Sequence, residues 1–208
     1  MRRPRRHPLR ASLGRQLSPP PAAPLLRRHG YDYTHDGFFL RFQYGLGAST
    51  WRSSGAASST SIGAGGAVEA IAIGAALTPS FVVYGEGMGT NAFASAAAGS
   101  GELFAYGAGV AYFFPQANVS LSGTVALAAA SFSGAKLTDR TRSMTDWGLG
   151  LKASVAKEWW VSPNWGLGVG GLVLGASMKD NGALAAAGGG TPSWKVAAGV
   201  VFFSASYN

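Results

Sequence analysis

The stretch Phe38–Ser49 reads FFLRFQYGLGAS and changes character at every residue. Phe38, Leu40, Phe42, Tyr44, Leu46 and Ala48 share one parity, while Phe39, Arg41, Gln43, Gly45, Gly47 and Ser49 share the other. Successive side chains of an extended chain point to opposite faces, so this alternation predicts a strand with one apolar face and one polar or small face.

The same period recurs downstream. Residues 118–129 set Val119, Leu121, Val125, Leu127 and Ala129 against Asn118, Ser120, Ser122, Thr124 and Ala126. Residues 146–155 set Trp147, Leu149, Leu151 and Val155 against Asp146, Gly148, Gly150, Lys152 and Ser154. In residues 193–202, Trp194, Val196, Val200 and Phe202 oppose Ser193, Lys195, Ala197 and Gly199. Four more strands, rich in Ala and Gly, are expected near 61–77, 81–88, 102–114 and 165–177, which makes eight.

The connections alternate in length. Thr78-Pro79-Ser80, Phe114-Pro115-Gln116-Ala117 and Ser162-Pro163-Asn164 are tight turns, whereas about 50–60, 89–101, 131–144 and 178–192 are longer and polar, small or glycine-rich. Short turns at one end and long loops at the other, over an even number of strands, predict an all-β fold. The expected form is an eight-stranded antiparallel up-and-down transmembrane β-barrel over residues 36–208. No segment has the unbroken apolar run of a membrane-spanning helix.

Composition agrees. Hydrophobic residues make up 47% of the 208 and charged residues 12%, about half the usual charged share. The net charge of +8 is concentrated at the start: residues 1–35 hold eight arginines against the single acid Asp32, and residues 36–208 are close to neutral. A nucleic-acid-binding body needs a basic face, and this body has almost no excess of positive charge, so no nucleic-acid partner is expected. Residues 1–35 mix Arg, Pro and Ser without a period and read as a disordered tail. They lack the apolar core of a secretory signal, which leaves either a mis-annotated presequence or a linker in a precursor.

All six tryptophans fall at strand ends. Trp51, Trp147 and Trp194 are expected at the long-loop end, and Trp159, Trp160 and Trp165 at the short-turn end. An indole with one N–H donor suits the boundary between hydrocarbon and water, so Trp51, Trp147, Trp159, Trp165 and Trp194 are expected to form membrane-interface girdles. By parity Trp160 points inward. The face opposite the apolar one carries Arg41, Glu69, Glu86 and Lys152, which are expected to meet in the lumen as a charge network. Such charges must pair or be hydrated.

Several chemistries are missing. The histidines His7, His29 and His35 all precede the first strand, so neither a Ser-His-acid triad nor a histidine metal site is expected in the barrel. There is no cysteine. Gly166, Gly168 and Gly171 match the spacing of a dinucleotide fingerprint, but they lie within an apolar strand and no helix follows. No catalytic residue, cofactor or metal is therefore expected. Asp139, Arg140 and Arg142 read as a solvated loop cluster.

DGFFLRFQYGLG at 36–47, GVAYFFPQANVSLSGTVALA at 109–128, KEWWVSPNWGLGVG at 157–170 and VFFSASYN at 201–208 together resemble small outer-membrane β-barrel proteins of Gram-negative bacteria. They are similar to the OmpA/OmpX-type eight-stranded barrels, of the kind found in myxobacteria. The resemblance implies an outer-membrane location and a structural or surface-interaction role without catalysis. The implied partners are outer-membrane lipid, the barrel assembly machinery during insertion, and any extracellular ligand held by the loops 89–101, 131–144 and 178–192. Eight strands leave an interior just wide enough for side chains, so a largely plugged lumen is expected. The alternative is a narrow pore or carrier for a small solute.

Overall fold

The computed structural model describes residues 37–54, 61–93, 100–133, 143–179 and 193–208. The expected tail at 1–35, the loop cluster around Asp139 and most of the long connections lie outside them. Nine strands run β1 (Gly37–Ser54), β2 (Ser61–Thr78), β3 (Phe81–Phe93), β4 (Ser100–Phe114), β5 (Val119–Ser133), β6 (Ser143–Met144), β7 (Gly148–Trp160), β8 (Trp165–Lys179) and β9 (Ser193–Tyr207). Eight are long. β6 is a two-residue addition beside the upper end of β5, pairing Ser131 with Met144.

Every long strand pairs antiparallel with its neighbours, and β1 pairs with β9 from Leu40↔Tyr207 to Ser54↔Ser193, which closes the sheet. Closure satisfies every edge, which a β-protein needs in a solvent unable to hydrogen-bond its backbone. Following paired residues around the barrel gives Phe42, Ile71, Gly87, Tyr106, Leu127, Leu149, Ser177, Lys195 and finally Arg52. The path returns to β1 ten residues above its start (52 against 42). That stagger over eight strands corresponds to a strand tilt of about 40° and a climb of about 2.5 Å per residue along the barrel axis.

Three tight turns close one end. The β4–β5 turn places Asn118 at φ 49°, a left-handed conformation that asparagine tolerates. At the β7–β8 turn the Val161 N–H donates to the Trp165 carbonyl at 2.9 Å, and Ser162 Oγ accepts from the Trp165 N–H at 3.1 Å. At the other end the strands extend further than the alternation predicts, to Ser54, Phe93, Ser133 and Lys179. The 89–101 connection accordingly shrinks to 94–99. Above the apolar belt the ladder continues without an apolar outward face to advertise it.

The faces invert the order of a soluble protein. Phe38, Tyr44, Leu46, Tyr106, Leu127, Leu149, Leu151, Val173, Val201 and Phe203 all point outward and are exposed. A contiguous apolar belt of this size is stable only against lipid.

Candidate functional site: the lumen and its two rims

The inward side chains fill the barrel in layers. At the long-loop end Trp51, Phe132 and Trp194 pack together across the lumen, with ring centroids 5.6 Å apart for the edge-on Trp51–Phe132 pair and 4.4 Å for the tilted Phe132–Trp194 pair. Leu103, Met178, Leu174, Val196 and Val200 continue this apolar cluster downward. Neighbouring strands supply glycines where large side chains pass. A Cβ on Gly170 would lie 2.7 Å from the Phe202 ring, and one on Gly109 would lie 2.5 Å from the Tyr84 ring.

Below this cap a polar layer crosses the lumen, and beneath it Phe39, Val82, Tyr84 and Phe113 form a second apolar cluster. Lys152 Nζ forms an ion pair with Glu86 Oε1 and donates to Gln43 Oε1 at 3.0 Å. Thr124 Oγ1 donates to the other Glu86 oxygen at 2.7 Å, and Tyr84 OH lies 3.1 Å from Thr124 Oγ1. One strand-step lower, the Arg41 guanidinium sits over the rings of Tyr84 and Phe39, at 5.2 and 5.6 Å, with Ser122 Oγ at 3.5 Å. Aromatic faces are a recognised resting place for a desolvated guanidinium. Nearer the tight turns, Glu158 accepts hydrogen bonds from Ser120 and Ser206, each at 3.0 Å.

Of the four residues expected to form the lumen network, the structure brings together Glu86 and Lys152, and it places Arg41 below them on the same side of the wall. Glu69 does not join them. It has the parity of Ile71 and Ile73 and faces outward, with its carboxylate over Gly89. Eight residues separate it from Leu77 at the tight-turn end, about 20 Å along the axis, so it falls within the apolar band of about 25 Å. In β2 the opposite parity is Ala64, Gly66, Val68, Ala70 and Ala72, so neither face is polar enough to reveal which one lines the lumen.

The fourth buried charge is instead Glu158. Glu158 lies near the end of β7 beside the tight turn, outside the four charges expected in the lumen. The alternation through Lys152, Ser154 and Ala156 leads directly to it. Two cations (Arg41, Lys152) and two anions (Glu86, Glu158) thus balance among the described buried side chains.

The girdle expectation divides by parity. Trp147, Trp159 and Trp165 face outward, 53%, 48% and 39% exposed. Trp165 packs edge-on against Tyr207 at 5.3 Å, and Phe38 lies 6.3 Å from the same ring. Trp51 and Trp194 are corrections: both point inward, 2% and 1% exposed, and belong to the lumen cap. Trp51 lies ten residues beyond Arg41 and so shares its inward parity. For Trp194, the apolar character of the whole face with Val196, Val200 and Phe202 predicts an outward position. Pairing with β1 sets it inward, since the upper lumen is itself apolar.

Among the described residues no group of three or more His, Asp or Glu side chains could hold a metal ion. No protein-family model matches the sequence, and no curated protein matches it. Solved structures do match in fold. Neisserial surface protein A aligns with 18% identity and TM-score 0.54, covering 83% of this chain and 97% of that one. Ail, the attachment invasion locus protein of Yersinia pestis, aligns with 14% identity and TM-score 0.48, over 83% and 99%. The outer membrane protein OprG from Pseudomonas aeruginosa gives 10% and 0.41, over 84% and 98%. The closed antiparallel sheet of eight long strands and the alignment with Neisserial surface protein A give this chain the fold of the small bacterial outer-membrane β-barrels. Its belt of exposed apolar side chains and its outward tryptophans make it a membrane-spanning member of that class.

Proposed function

We propose that this chain is a non-catalytic integral protein of a Gram-negative outer membrane, with a structural or surface-interaction role and a largely plugged lumen. The filling of the lumen carries the reading: a Trp51–Phe132–Trp194 cap stands above a Lys152–Glu86–Gln43 layer. A solute would have to displace three aromatic rings and then break a buried ion pair. In this reading the three tight turns face the periplasm and the strand ends at Ser54, Phe93, Ser133 and Lys179 face outward, with an extracellular ligand held through the loops 89–101, 131–144 and 178–192. Insertion would depend on the barrel assembly machinery, and no nucleic acid is involved.

The second reading, a narrow conduit, draws support from the lower lumen. Arg41 Nε, Gln43 Nε2 and Ser204 Oγ are buried there without a protein hydrogen-bond partner, and such groups favour water. Planar bilayers separate the two. The purified chain is expected to add no steady current steps, and reproducible channels of fixed conductance would replace the plugged reading with the conduit.

A further inference from the structure

The outward rim at the long-loop end is unevenly charged. Lys179 of β8, Lys195 of β9 and Arg52 of β1 occupy three adjacent strands, and all three are exposed on the outer face. Arg52 and Lys195 are directly paired in the register, and Lys179 is a diagonal neighbour of Lys195 through the Ser177↔Lys195 and Lys179↔Ser193 pairs. Like charges directly opposite on one face, with Cβ atoms about 5 Å apart, destabilise a sheet unless an anion lies between them. Among the described residues none of the three cations has an acidic partner within ion-pair distance. Asp146 approaches Lys179 only through its backbone, its N–H donating to the Lys179 carbonyl at 2.9 Å. The hydroxyls of Ser54 and Ser193, 3.0 Å apart, lie beside the cations as further donors.

The height of this cluster identifies the anion. Arg52 stands fourteen residues above Phe38 on β1, and Lys179 fourteen above Trp165 on β8, so both lie about 35 Å above the lower aromatic rim. Lys195 stands twelve above Tyr207, about 30 Å. The apolar band accounts for about 25 Å of that. The cations therefore project sideways at the level of lipid head groups, just above the hydrocarbon. Beneath them the outward face of the same strands is apolar or small, with Ala197, Val201 and Val173 positioned to meet acyl chains.

We propose that Arg52, Lys179 and Lys195 form a binding site for the phosphate of an outer-leaflet lipid head group. The lipid lies along β8, β9 and β1 with its acyl chains on the belt, and its phosphate bridges the cations that would otherwise repel one another. This goes beyond a general role for the barrel in the membrane, and it rests on the orientation that sends the long connections outward.

Lysine footprinting tests the site without interference from the arginine-rich segment 1–35, which contains no lysine. The full chain in detergent is titrated with lipid A carrying its phosphates, with the same lipid after enzymatic dephosphorylation, and with inorganic phosphate. An amine-reactive acylating reagent then reads each lysine by mass spectrometry. Phosphorylated lipid A is expected to slow modification of Lys179 and Lys195 at least fivefold. The dephosphorylated lipid and inorganic phosphate should slow it less than twofold, and Lys157, on the opposite rim, should respond alike to both lipids. Each cation near an anionic lipid surface strengthens binding about fivefold, so Arg52→Gln should weaken the lipid midpoint by about that factor. Arg52→Lys, which keeps the charge, should retain it. Equal protection by the phosphorylated and dephosphorylated lipids, or none by either, would overturn the site. Protection by inorganic phosphate alone would make it a free-anion site and overturn the lipid assignment. Failure here leaves the plugged-lumen reading untouched, because conductance reads that separately.

Discussion

Glu86→Gln removes one charge from the buried Lys152–Glu86 ion pair while keeping the side chain's shape. Lys152 would be left with Gln43 Oε1 and a neutral amide oxygen, in a lumen where its own exposure is 4%. Breaking a buried pair by neutralising one partner typically costs about 3–5 kcal/mol, because the surviving charge loses its compensation. Glutamine keeps one acceptor for Lys152, whereas its amide –NH2 cannot accept the Thr124 hydroxyl as the second carboxylate oxygen does, so we expect about 3 kcal/mol of destabilisation. Urea unfolding of the chain folded into lipid vesicles, followed by tryptophan emission, measures it. The double variant Glu86→Gln/Lys152→Met removes both charges and should recover most of the loss, since replacing a buried pair with apolar volume is often neutral. A single variant within about 0.5 kcal/mol of wild type, or a double variant as costly as the two single changes added, would refute the account of a buried, paired layer.

Other substitutions should separate the faces. Glu69→Leu is expected to stabilise the barrel in vesicles, by about 1 kcal/mol, because it removes a lipid-facing carboxylate; destabilisation in the same urea titration would return Glu69 to the lumen. Trp194→Ala should cost about 3–5 kcal/mol as a cavity opening in the cap, read by the same unfolding midpoint. Brominated lipids should quench single-tryptophan variants retaining Trp147, Trp159 or Trp165 and leave those retaining Trp51 or Trp194 bright, with equal quenching of all five contradicting the parity. Protease added to intact cells should cut only within 55–60, 94–99, 134–142 or 180–192, and cleavage at 115–118 or 161–164 would reverse the orientation.

How much of this was legible depends on what each strand carries. β1 announced itself because Phe38, Phe42 and Leu46 alternate with Arg41 and Gln43, two chemistries that do not exchange places across a membrane wall. β5 did the same with leucines and valines against serines and Thr124. β2 did not, because alanine and glycine suit both lumen and lipid, and Glu69 was placed by its charge instead of by the parity of Ile71 and Ile73. β9 misled for a different reason: Val196, Val200 and Phe202 face a lumen whose upper half is apolar, while Val201 and Phe203 face lipid, so both faces read alike. Only the pairing with β1, a non-local fact, distinguishes them. The tryptophans show the same division. Each of the six stands at or beside a strand end, but that position does not separate a girdle from a cap. Parity does, and for Trp51 it was available by counting from Arg41.

The central claim is that one parity of each strand lies in lipid and the other in a filled lumen. The chain has no cysteine, so single cysteines can report on it directly. In β5, Leu121, Val125 and Leu127 replaced singly should react with a bilayer-soluble maleimide in vesicles, as should a cysteine at position 69. Cysteines at Ser120, Ser122 and Ala126 should resist both that reagent and a water-soluble one until the protein is unfolded. A uniform response along the strand would contradict the barrel wall, and ready labelling of the second set from water would show that the lumen is open.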